Sequence, residues 1–241
     1  MLPLQPAVRM NRSEFDRFAD EYCSIHRENI AASGEAPEYF ADYKMTDLAR
    51  LVRRFGAAPA RLRVLDFGAG VGTSVPFFRR RLPDASLTCV DVSLRSLRIG
   101  IGRFPRDAAF VAFDGARLPF ANGSFDCAFA ACVFHHIAAS EHVPLLAEIR
   151  RVLRPGGRVM VYEHNPLNPL TRSAVDRCPF DEHAVLIGAP ALRGRVERAG
   201  FTEAGVRYRV FFPRALSWLR PMEDSLGFLP VGAQYYVHAK A

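Results

Sequence analysis

Two kinds of hydrophobic spacing divide the chain. Up to about residue 55, apolar positions recur at helical intervals: Phe15, Phe18, Tyr22 and Ile25, a break at Ala32-Ser-Gly-Glu-Ala-Pro37, then Leu48, Leu51 and Val52. This spacing predicts two helices. From about Arg61 the pattern changes to short apolar runs, each followed by a helix-length stretch, as in a parallel sheet with crossover helices. Strands are predicted at 62–67, 86–91, 108–113, 125–130 and 157–163, with helices near 73–82, 93–103 and 140–153. The turn Arg154-Pro-Gly-Gly157 is expected to stop the third of these helices. After Asn165 come a Pro-punctuated segment, a helix near 190–199 closed by Gly200, and two further strands at 203–211 and 233–239. The organisation read from this is a helical lid over 1–56 and an α/β core over 57–241, with a cap insertion at about 211–231 that holds Trp218, the only tryptophan.

Composition changes this picture little. With 49% hydrophobic and 24% charged residues, the 241-residue chain falls among ordinary globular proteins. No apolar run reaches the roughly 18 residues of a membrane span, and Met1-Leu-Pro-Leu-Gln-Pro6 lacks the charged and apolar regions of a secretory signal. The expectation is a cytoplasmic protein, with at most a peripheral contact between the cap and a membrane surface. Five cysteines without a C-x-x-C pair argue against a disulfide framework or a structural zinc, so no metal is expected. The formal charge of +7 comes from arginines scattered over predicted helix faces rather than one aromatic-interleaved stripe, which argues against a nucleic-acid partner. Arginine outnumbers lysine by 30 to 2, which singles out Lys44, the only lysine outside the extreme C-terminus. It lies in Tyr39-Phe-Ala-Asp-Tyr-Lys44, where it is a candidate to meet an anionic group of the acceptor or cofactor.

The most informative stretch is Val64-Leu-Asp-Phe-Gly-Ala-Gly-Val-Gly-Thr73, in which a buried strand runs into alternating glycines and then a helix. Glycine lets the backbone turn sharply and approach a ligand, and the helix N-terminus offers free N–H groups. A dinucleotide fingerprint requires its third glycine where Thr73 stands, and Asp66, two residues ahead of Gly68, suits an ammonium group better than a pyrophosphate. Asp91, about twenty residues on, is positioned to accept from a ribose diol, while Ser93 supplies the cap of the following helix. Asp114 ends the third strand and Phe125 to Ile137 contains the fourth, so every motif falls at a strand C-terminus, where open α/β sheets bind ligands.

Taken in order, Val64 to Thr73, Val90 to Ser93, Phe113 to Phe120, Phe125 to Ile137 and Leu153-Arg-Pro-Gly-Gly157 resemble the class I S-adenosylmethionine-dependent methyltransferases, in particular the small-molecule group known as type 11. The resemblance implies a Rossmann-like, doubly wound, seven-stranded and mostly parallel sheet with one antiparallel strand. It implies cofactor contacts from Asp66, Gly68, Ala69 and Gly70 around the methionine part. Asp91 and Val92 would meet the ribose, Asp114 and Gly115 the adenine, and Ala131 and Cys132 would close the site, with Tyr22 of the lid covering it.

Methyl transfer from a sulfonium is an in-line displacement that depends on alignment and exclusion of water; a base helps when the acceptor must lose a proton. His136, Glu163 and His164 are the candidates for catalytic roles, with Asn165, Lys44 and Trp218 as acceptor contacts. His183 is read as a surface or structural residue. Two other readings stand beside methyl transfer to a small molecule: an NAD(P)-dependent oxidoreductase, and a silent methyltransferase-like partner protein. A nucleic-acid methyltransferase is disfavoured because Ala131-Cys-Val-Phe134 stands where Asn/Asp-Pro-Pro-Tyr/Phe would be.

Overall fold

The computed structural model describes residue 30, residues 33–54 and residues 62–241. The first predicted helix and Tyr22 lie outside the described residues. Helix α1 spans Pro37–Arg54, and the α/β core follows as β1 (Arg63–Phe67), α2 (Val75–Arg81), β2 (Ser86–Asp91), α3 (Leu94–Arg103), β3 (Ala109–Ala112), β4 (Phe125–Ala131) and α4 (His142–Val152). Then come β5 (Leu153–His164), α5 (Pro169–Val175), α6 (Ala189–Arg198), β6 (Thr202–Arg209), α7 (Glu223–Leu226) and β7 (Gln234–Lys240). The strands form one seven-stranded sheet in the order β3-β2-β1-β4-β5-β7-β6. All neighbours are parallel except β7, which runs antiparallel to both β5 and β6. This is the expected Rossmann-like arrangement with one reversed strand.

Because successive strand residues point to opposite faces, each strand supplies two cores. Val64, Cys127, Phe129, Met160 and Tyr162 pack with Met45, Leu48 and Val52 of α1 and Phe78 of α2. Leu65, Phe67, Ala128, Val159 and Val161 pack with Leu145 and Ile149 of α4 and Leu192 and Val196 of α6. Helix α3 sits close to β3, since a methyl group on Gly100 would lie 2.5 Å from the Phe110 ring. Ser93 caps α3 as the sequence indicates, its hydroxyl accepting from the Ser96 amide at 3.0 Å.

Two boundaries differ from the sequence reading. Arg154-Pro-Gly-Gly157 is not an isolated turn: α4 stops at Val152, and Leu153 already pairs with Phe125, so β5 begins there and takes up the extra residues as a register shift. The cap is a 3₁₀ segment, Arg214–Met222, running into the single turn of α7. Trp218 on it is 73% exposed, as Met222, Phe228 and Val231 are also exposed. Polar anchors tie the cap to α1. The Tyr43 hydroxyl donates to Glu223, whose carboxylate also accepts from the amides of Phe211 and Phe212 at 3.0 and 3.1 Å, and the Arg220 guanidinium lies 4.4 Å from the Tyr39 ring.

Candidate active site

Strands β1 and β4 are neighbours whose crossovers leave in opposite directions, and the cleft beyond their C-terminal ends is the topological switch point of the sheet. The glycine loop occupies it. Gly68, Gly70 and Gly72 all have positive φ, at 75°, 54° and 76°, and the amides of Gly68 and Ala69 both donate to the Val90 carbonyl at 2.9 and 3.0 Å. The glycines serve different ends. A methyl on Gly68 would come within 2.6 Å of Val133, so that glycine is required by packing. A methyl on Gly70 would meet nothing within 4 Å, so that position borders open space. Asp91, at the tip of β2, accepts from the Gly70 amide at 2.8 Å and the Ser93 amide at 2.8 Å, which presents its carboxylate at the edge of that space. A glycine backed by open space and an anchored carboxylate beside it fit a nucleoside-bearing cofactor.

Asp66 is fully buried behind the loop, and its carboxylate accepts from the Ser74 hydroxyl at 2.5 Å. Burial raises its pKa to about 7, against the lowering effect of Ser74. Asp114 is exposed, one oxygen accepting from the amides of Ala116 and Arg117 at 2.9 and 2.8 Å, so it shapes its own loop beyond β3. Ala131 and Cys132 are half-buried at the end of β4.

The far side of the cleft is built from side chains. Glu163 and His164 are adjacent on β5 and therefore point to opposite faces. Glu163 is completely buried and accepts from the amides of Val133 and Phe134 at 3.2 and 2.8 Å and pairs with the His135 ring at 2.5 Å. Its carboxylate is therefore a clamp on the turn after β4. Burial opposes its charge, but the His135 partner holds its pKa below the ordinary carboxylate value and is itself raised in return. His136 follows with Nε2 3.4 Å from Asp181; burial, then the neighbouring His135, lowers its pKa to about 3. Asn165 is buried, its amide donating to the carbonyls of Pro230 and Gly232 at 3.1 and 2.7 Å, which pins the end of the cap.

His164, next along β5, lies beside Gln234 and close to Cys132, with its ring 5.2 Å from that of His135. Cys132 has a positive φ of 59°, a left-handed conformation that non-glycine residues hold only under constraint. Its sulfur is 3.3 Å from Lys44 Nζ and 3.8 Å from Gln234 Nε2. Burial would raise the thiol, but Lys44 and then His164 bring it down to about 6. The group that Lys44 meets in the structure is thus the Cys132 sulfur, and its ammonium also lies 5.8 Å from the centre of the Tyr162 ring. Behind it, Arg209 makes a bidentate pair with Asp47 at 2.8 Å for both contacts, and the Tyr162 hydroxyl donates to the same carboxylate at 2.5 Å. Cys132, His135 and Asp181 were not singled out by sequence reasoning as chemical groups; the pair His135-His136 beside the fourth strand was the only visible hint.

The fold and the glycine loop define a Rossmann-like nucleoside-binding protein, and comparison with known proteins narrows this. Residues 64–157 match the family described as "Methyltransferase domain". A demethylmenaquinone methyltransferase from Renibacterium salmoninarum is 34% identical over 158 residues, 64% of this chain and 63% of that protein. Another, from Paenarthrobacter aurescens, is 38% identical over 167 residues, 68% of this chain and 63% of that protein. The chain therefore spans less than two thirds of the length of these relatives. Among solved structures, a possible histamine N-methyltransferase from Thermotoga maritima superposes with a TM-score of 0.66 at 21% identity, covering 95% of this chain and 98% of that one. A Haemonchus contortus phosphoethanolamine N-methyltransferase in complex with S-adenosylhomocysteine superposes at 0.65, with 17% identity, covering 98% of this chain and 61% of that one. Residues 64–157 are thus a methyltransferase domain, and these likenesses together support a class I S-adenosylmethionine-dependent methyltransferase. S-adenosylmethionine is the family's cofactor, which sets the dinucleotide-dependent alternative aside.

Proposed function

We propose that this protein transfers a methyl group from S-adenosylmethionine to a small-molecule acceptor with a large apolar part, such as a reduced quinone ring bearing a hydrocarbon tail. The single observation that carries the cofactor half is Gly70, open on its ligand side and hydrogen-bonded to Asp91 at the switch point. The bound cofactor supplies a methyl group activated on a sulfonium. Asp91 with Val92 holds the ribose, Asp114 with Gly115 the adenine, and the backbone of Ala69, Ala131 and Cys132 lines the methionine end. Asp66, held near neutrality by burial, becomes the counter-charge of an arriving ammonium.

The acceptor half rests on two supports: the names of the relatives, and the exposed apolar side chains Leu167, Leu170, Trp218 and Phe228 around the cap. The cap at about 211–231 receives the apolar part. His164 and the Cys132 thiolate, steadied by Lys44, take the acceptor's proton, while Glu163 acts as a positioning residue through the turn it clamps.

The test is calorimetry with S-adenosylhomocysteine, followed by transfer of labelled methyl to a panel of quinols, phenols and amines. The expected result is micromolar binding that falls at least tenfold in Asp91→Ala, and turnover with a tailed quinol. Binding without transfer to any acceptor points instead to the silent partner protein.

A further inference from the structure

We propose that His135, His136 and Asp181 form a binding site for one divalent transition-metal ion of the zinc or ferrous type. Each residue offers one ligand atom, and the three atoms lie within 4.8 Å of one another. Asp181 faces both rings within ion-pair range, at more than the roughly 2.7–3.0 Å of a tight charge-assisted hydrogen bond. It sits 3.6 Å from His135 Nε2 and 3.4 Å from His136 Nε2. Ligands placed tetrahedrally about 2.1 Å from a zinc ion are separated by roughly 3.4 Å, so these edges match a shared central ion.

The surroundings complete the case. His135 uses Nδ1 on Glu163 at 2.5 Å, and Glu163 is itself fixed by the amides of Val133 and Phe134. A carboxylate on the far nitrogen is the usual support of a metal-bound imidazole: it fixes the ring and the tautomer that leaves Nε2 as donor. His135 is buried, but the side chains of His136 and Asp181 keep 9% and 11% of their exposure. Asp181 also lines a cleft of about 460 Å³ together with Val175, Cys178 and Ala184. Three protein ligands leave a fourth tetrahedral position for a water or a substrate oxygen, as in catalytic zinc sites. Two imidazoles and one carboxylate suit zinc or ferrous iron better than magnesium or calcium.

The proposal does not depend on the methyltransferase reading, and its test does not measure methyl transfer. Protein stripped with a chelator is titrated with zinc against a chromophoric competitor, and separately with cobalt(II) as a spectroscopic probe. One equivalent should bind with micromolar or tighter affinity, weakened at least tenfold in both His136→Ala and Asp181→Asn, whose far-ultraviolet circular dichroism should match the parent. Absence of stoichiometric binding, or equal binding by parent and variants, overturns the site. If either variant does not fold, the parent cobalt spectrum decides: visible bands of nitrogen and oxygen ligation support the site, and a thiolate-to-cobalt charge-transfer band overturns it.

Discussion

The two walls of the cleft are made of different material. The β1–β2 wall is backbone: three glycines in left-handed conformation, amides returned to the Val90 carbonyl, and one carboxylate fixed by two N–H groups. The wall around the ends of β4 and β5 is side chains in polar pairs, some brought in from α1 and β6: Asp47 with Arg209, Glu163 with His135, Cys132 with Lys44. A backbone wall is dictated locally and tolerates change away from its glycines. A wall of buried charges is assembled from distant parts of the chain and depends on every partner.

The contrast predicts where substitutions act. The largest loss of stability is expected on the side-chain wall. Arg209→Met removes the bidentate partner of the buried Asp47 carboxylate and leaves it only the Tyr162 hydroxyl and the more distant Arg50, which costs about 3 kcal/mol, while the double variant Asp47→Leu/Arg209→Met recovers more than half of that loss. Urea unfolding of the single and double variants measures both, and equal losses would remove the distinction between the walls. On the backbone wall, Gly68→Ala drives a methyl to 2.6 Å from Val133 at a positive φ; overpacking and left-handed strain together cost about 2–4 kcal/mol. Gly70→Ala separates stability from binding. It meets open space, so unfolding should shift by only about 1–2 kcal/mol of left-handed strain, while affinity for S-adenosylhomocysteine falls at least tenfold in calorimetry.

A separate effect is expected in pH dependence. With its thiol down at about 6 from an unfolded value of 9.0, Cys132 binds fewer protons folded than unfolded between those limits. The stability it contributes is complete above pH 9 and is lost as pH falls through 6. Iodoacetamide should label Cys132 with a midpoint near pH 6, and Lys44→Met should move that midpoint upward. An unmoved midpoint would mean that Lys44 does not hold the thiolate.

The same contrast explains what could be read from the sequence. Strands β1, β2 and β4, the glycine loop, Asp91 and the Ser93 cap were legible because strand alternation and glycine spacing are local signals. Lys44 stood out only through the arginine-rich background, and its partner Cys132 lies 88 residues away, beyond the reach of any periodicity. His135 carried no signal of its own, since nothing local links it to Glu163, 28 residues on, or to Asp181. Glu163 and His164 were read as neighbours in one site. Strand alternation turns them apart, yet the His164 ring stays 5.2 Å from that of His135, the partner of Glu163, while also reaching Cys132.

The reversed strand also constrains the order of assembly. Strand β6 is synthesised before β7 yet joins the sheet only through it, because β7 lies between β6 and β5. Until residues 234–240 have left the ribosome, β5 presents a bare edge, and β6 has nothing to pair with. The cap and its anchor on α1 come from the stretch between those two strands. The cap side of the protein is thus the last part to become solid, after β1 to β5 are already in place.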